Sequence, residues 1–171
     1  MKKIILSLFL VGCIATLSAQ SAVDKVFNKY AGKDGYTTVV INSYMFKFLA
    51  NIETNDPEYE SFKKATSGIE SIRILTQDGS GSPGFGKELL AELPRKDYEE
   101  LMTVKESDEE VVFLIKEENG KISEFLLVVS SENDDDALIV IKGNIDLESI
   151  SSLTEGLDLP GMQGLDELNK K

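Results

Sequence analysis

Two stretches of the sequence hold residue types that could do chemistry. Gly79-Ser80-Gly81-Ser82-Pro83-Gly84 fits the spacing G-x-G-x-x-G, in which backbone N–H groups and a helix start hold a dinucleotide pyrophosphate. Overlapping it, Gly81 to Lys87 fits G-x-x-x-x-G-K, a loop that cradles nucleotide phosphates. The next residue is Glu88, where magnesium chemistry needs a serine or threonine hydroxyl, and a carboxylate there repels phosphate. Pro83 removes a backbone donor from either loop, and no acidic ribose partner sits at the end of a following parallel strand. The stretch therefore reads as a surface linker. The second stretch, Glu132-Asn133-Asp134-Asp135-Asp136, has carboxylates for calcium but lacks the spaced ligands, central glycine and closing glutamate of a calcium loop. It reads as a solvated hairpin turn, with a weak surface calcium site as the most it would offer.

The sequence has no histidine, which removes the usual general base, the imidazole-based triads and the commonest zinc ligand. Carboxylate-pair or serine-lysine hydrolysis has its residue types present but no recognisable signature. With no tryptophan, a sugar-binding platform of stacked rings is not expected either. Tyr36, Tyr44, Phe46 and Phe48 are close enough in sequence to form an aromatic patch, but on a strand and an adjoining helix they are assigned to core packing. No catalytic, cofactor-binding or metal residue is assigned, and no cofactor is expected.

The residues with a processing role come first in the chain. Lys2 and Lys3 precede the apolar run Ile4 to Val11, and Leu17-Ser18-Ala19 supplies the small-residue end of a secretory leader, so cleavage is expected between Ala19 and Gln20. A membrane-spanning helix needs about 20 apolar residues, and Ser7, Gly12, Thr16 and Ser18 interrupt this run. Leu10-Val11-Gly12-Cys13 offers a competing reading, a lipobox whose lipidated Cys13 would become the mature N-terminus; against it, apolar residues continue from Ile14 to Leu17. Cys13 is the single cysteine, so a soluble mature form has no disulfide. The expected address is the periplasm or the exterior, or the outer membrane if Cys13 carries lipid.

The 30 acidic residues outnumber 18 basic ones, giving a net charge of −12. Nucleic acid and anionic lipid surfaces require a concentrated basic footprint, and none is present. The expected partners are another protein or further copies of the chain, with a membrane only through Cys13.

The elements follow from periodicity and caps. Ser21 caps a helix in which Val23, Val26, Phe27 and Tyr30 share a face, and Gly32 ends it. Tyr36 to Ile41 is β-branched and reads as a buried strand. Asn42 and Ser43 open a helix carrying Met45, Leu49 and Ile52, and Asp56-Pro57 opens another carrying Tyr59, Phe62, Ala65 and Ile69. A short strand around Ile72 and Ile74 follows, and the order predicts a parallel β-α-β crossover. After a helix from Lys87 to Leu93, the segments Leu101 to Lys105, Val111 to Ile115, Ile122 to Val129 and Ala137 to Ile141 predict a four-stranded antiparallel meander. Asn119-Gly120 is its strongest turn signal. Continuous apolar runs at 111–115 and 125–129 imply strands covered on both faces. Asp146 caps a C-terminal helix with Leu147, Ile150 and Leu153. The expectation is a single α+β domain over residues 20–156 in one mixed sheet, after a leader at 1–19 and before a tail at 157–171.

Phe27-Asn28-Lys29-Tyr30 with Gly32 to Thr37, the segment Tyr98 to Glu106, and Ile139 to Leu147 resemble domain-of-unknown-function family four-two-five-two. The resemblance spans about residues 24–155 and implies a small exported or lipid-anchored envelope protein, with a hint of envelope signalling and no catalytic residues to carry over. The expected function is a non-catalytic binding or interaction module. The alternatives are a carrier of small apolar ligands or lipid, and a carboxylate or serine-lysine hydrolase.

Overall fold

The computed structural model describes residues 21–52, 54–77, 84–132 and 135–145. The leader with Cys13, Ala19 and Gln20, most of the glycine-rich loop, Asn133 and Asp134, the expected C-terminal helix and the tail lie outside the described residues.

Helix α1 (Ala22–Tyr30) begins where the Ser21 hydroxyl accepts the Asp24 N–H at 3.1 Å, and it buries Val23, Val26 and Phe27 at the i, i+3, i+4 spacing of one helical face. Gly32, at φ 73°, carries the chain out of it into strand β1 (Tyr36–Asn42). Two short helices follow, α2 (Ser43–Ala50) and α3 (Pro57–Thr66), and then β2 (Ile69–Gln77). Helix α4 (Phe85–Glu92) and a 3-10 turn (Arg95–Asp97) lead to β3 (Glu99–Lys105), β4 (Glu109–Glu118), β5 (Lys121–Ser131) and β6 (Ala137–Ile145).

The six strands form one sheet in the order β1-β2-β6-β5-β4-β3, and every neighbouring pair is antiparallel. The meander from β3 to β6 is present. At the turn between β4 and β5, Asn119 and Gly120 take φ 56° and 73°, the two positive values that a type I′ hairpin requires.

The expected parallel crossover is not present, so the sheet is antiparallel rather than mixed. The reason lies in the number of helices between β1 and β2. One helix would carry the chain back to the starting end of β1, and the next strand would run parallel. Two helices that turn on each other return the chain to the end it left, so β2 pairs with β1 in reverse, from Tyr36 opposite Gln77 to Asn42 opposite Ser71. The Tyr59 hydroxyl donates to the Leu49 carbonyl and ties α3 to α2.

Side chains of alternating parity form two cores. On one face, α1 and α4 cover Leu75, Val112, Leu114, Leu126, Val128, Leu138 and Val140. On the opposite face Ile72, Val111, Phe113, Ile115, Phe125, Leu127, Ile139 and Ile141 are also buried, and among the described residues Phe46 of α2 joins them from outside the sheet. The continuous apolar runs of β4 and β5 are thus buried on both sides, as their lack of alternation requires. A large buried apolar side chain contributes about 1.5–3 kcal/mol, so these two layers dominate the stability of the fold.

Candidate interaction surface

Helix α2 has the sequence SYMFKFLA, with six apolar residues in eight positions. A helix lying on a sheet can bury one stripe, so such a helix has more apolar surface than the fold can cover. The Asn42 side chain accepts the Tyr44 N–H at 3.0 Å and fixes where the helix begins, and hence which stripe turns inward. Phe46 enters the core, while Leu49 and Ala50 are half-buried. Tyr44, at 77% exposure, Phe48, at 68%, and Met45 face outward. The assignment of the aromatic group to the core is therefore corrected: Phe46 is buried and Tyr36 half-buried against Tyr30 and Phe85, but Tyr44 and Phe48 are not.

The neighbouring strand extends the same surface. β1 was expected to be buried, but it is an edge strand, and among the described residues its single partner is β2. Val39 shares its face with Ile41 and the α2 side of the sheet, because Val39 and Ile41 stand opposite Ile74 and Ile72. Val40 projects to the other face and is 61% exposed. With Ile52 and Phe62, seven of the nine exposed large apolar side chains among the described residues fall between positions 39 and 62. The other two, Leu101 and Val104, are on β3 at the far edge. Residues 35–52 also contain a single charged group, Lys47, in a chain of net charge −12. The sequence signal for this surface is that absence of acid, joined to a helix apolar on both sides.

The polar groups elsewhere are matched to one another. Arg73 on β2 donates to Asp24 at 2.8 Å and stacks its guanidinium 4.2 Å from the centre of the Phe27 ring. Burial alone would push the Asp24 carboxyl up, but hydrogen bonds from Ser21 and Arg73 outweigh it and hold the carboxyl below its ordinary value. On the same face Glu124 is buried, accepts the Tyr98 hydroxyl at 2.9 Å through Oε2, and has the Lys142 ammonium 3.5 Å from Oε1. That last contact is an ion pair without hydrogen-bond geometry. Burial, with Glu124 beside it, pushes the Tyr98 hydroxyl well up. This band fastens α1 and the 3-10 turn to the sheet, and none of its residues lines either depression described next.

One depression of about 480 Å³ is lined by Gly84, Lys105, Ser107, Asp108, Ser130 and Glu132, among others. Another of about 730 Å³ lies between α2 and α3, lined by Asn51, Ile52, Thr54, Asn55, Glu60 and Lys63 among others. Both are open and bordered mainly by polar side chains. Among the described residues no group of three or more histidine, cysteine, aspartate or glutamate side chains could hold a metal ion, and no helix is long and apolar enough to cross a membrane.

The two stretches singled out for chemistry have structural work where they are described. Gly84, at φ 110°, stands at the start of α4, whose Glu88 is engaged by the Lys29 ammonium at 2.6 Å and by the Tyr30 hydroxyl at 2.6 Å. The reading of the acidic stretch as wholly solvated is corrected at Asp136, which is 1% exposed. Its two oxygens accept the backbone N–H groups of Gly86 and Ser131, each at 2.8 Å, and pin α4 to β5. Glu132 and Asp135 do face outward.

Compared with known families, residues 30–153 match the model described as Domain of unknown function (DUF4252). No curated protein and no solved structure matches.

Proposed function

The chain belongs to the DUF4252 family, and from that premise we propose that it is a non-catalytic protein-interaction module of the bacterial envelope that binds its partner along β1 and the outer side of α2. The observation that carries this reading is the coincidence of an uninterrupted, uncharged edge strand with an apolar helix surface beside it. Contiguous exposed apolar surface rimmed by polar residues marks an interaction site, and an exposed strand edge offers backbone donors and acceptors to an added strand. The open, polar depressions favour this over a lipid carrier, which needs an enclosed apolar cavity.

Location at the envelope is supported by the leader-like start, with Lys2 and Lys3 before an apolar run and Ala19-Gln20 at its end. Intact mass of the protein from its host checks this. A chain beginning at Gln20, or at an acylated Cys13, is the expected result, and a chain retaining its first residues in the cytosol would sink the location. The interaction itself is tested in host cells by a photo-crosslinking residue in place of Phe48, with Leu101 on the β3 edge as control. Phe48 is expected to give a discrete heavier adduct and Leu101 none; no adduct at Phe48, or the same products at both, removes the proposal.

A further inference from the structure

The geometry points to a second copy of this chain as the occupant of the β1 edge, paired antiparallel with itself about Val39 so that two sheets continue as one. This rests on the interaction reading above and names its partner. Val39 is the midpoint of Tyr36–Asn42, so pairing about it overlaps all seven residues. Val39 then meets its own symmetry mate, Thr38 meets Val40, and Thr37 meets Ile41. Opposed residues of an antiparallel pair project to the same side. Val39 and Ile41 of both copies therefore continue the α2 face, and both α2 helices stand over the same side of the joined sheet.

Charge selects the partner. Like charges set directly opposite each other oppose strand pairing, and β1 has no charge to set. A chain at −12 repels its own copies over most of its surface, so the span 35–52, with Lys47 alone, is where two copies can meet without that penalty. A basic peptide would be drawn to the acidic surface elsewhere, since this span has no carboxylate to receive it.

Sedimentation equilibrium of the full chain, as its host processes it, provides the test. The expected result is a reversible dimer that Val39→Lys weakens at least tenfold while leaving the circular dichroism of the fold unchanged. Should Val39→Lys fail to fold, Val39→Cys takes its place: under mild oxidation a peptide pair joining residue 39 to residue 39 is expected, and Thr103→Cys on β3 gives no such pair. A single-chain mass at every concentration, or no preference for the 39–39 link, overturns the proposal. If the chain is monomeric yet Phe48 crosslinks to a different protein in the envelope, self-pairing falls and the interaction reading stands. If neither contact is found, both fall.

Discussion

Strand β3, at one edge of the sheet, carries Glu99, Glu100 and Lys105 and breaks register at Leu101, whereas β1, at the other edge, has no charge in seven residues and an unbroken ladder with β2. Charged side chains and bulges are the ordinary means by which edge strands are kept from pairing with other chains. β3 has both and β1 has neither. The exposed large apolar residues divide in the same way among the described residues, with seven between positions 39 and 62 and two on β3. The difference teaches that the bareness of β1 is local: the same chain guards an edge where its strand is to stay unpaired.

A large effect is expected from loosening the attachment of the bare edge. At the end of the β2–β6 pairing, Gly143 sits at φ 146°, and a Cβ there would lie 2.2 Å from the Gly68 carbonyl oxygen. Gly143→Val combines an unfavourable backbone conformation with a backbone clash and should cost about 3–4 kcal/mol by urea unfolding. Hydrogen exchange should show protection falling first in β1 and β2. Equal loss in β3 and β4 would break the comparison, because the two edges would then belong to one cooperative unit.

Asp136 is the matching lesion at the centre. Asp136→Ala leaves the buried N–H groups of Gly86 and Ser131 without their acceptor, at about 1–3 kcal/mol each, and both edges should lose protection alike. Glu132→Ala, at the exposed end of the same acidic stretch, should change stability by no more than about 0.5 kcal/mol.

A smaller effect is expected at the tie between β2 and α1. The Asp24 carboxyl titrates below its ordinary value in the folded state, so its stabilisation is present above the unfolded value and lost as pH falls through the folded one. Because the pair is partly open to solvent, Asp24→Asn should cost about 1 kcal/mol near neutral pH. In acid, once Asp24 is protonated, the variant and the parent should converge; a gap that persists there would assign the loss to packing. A small stability change is also expected from stripping β3. Glu99→Thr, Glu100→Thr and Lys105→Thr together should leave unfolding within about 1 kcal/mol of the parent while raising light scattering. Unchanged scattering would sharpen the comparison by showing that the Leu101 bulge guards that edge alone.

Much of the frame was legible in the sequence because the signals were local. Ser21 three residues before Asp24, Asn119-Gly120 between apolar runs, and the unbroken runs at 111–115 and 125–129 each specify their own structure through caps, turn dihedrals and two-sided burial. The direction of β2 was not legible in the same way, because it depends on how two short helices turn on each other, a tertiary fact held in contacts such as Tyr59 to Leu49. The exposure of Tyr44 and Phe48 was missed for a related reason. An apolar side chain has the same affinity for core and partner, and only the position of β1 at the edge decides which it can reach. Asp136 is buried where the equally acidic Asp135 beside it is exposed, a difference that composition does not record.

The guarded strand also sets how far assembly can proceed. A chain with two adhesive edges would add copies without end and grow as a fibre. Here a pair joined through β1 would present β3 at both of its outer borders, each with Glu99, Glu100 and a kinked ladder. Growth would then stop at two, with the acid on β3 acting as a terminator.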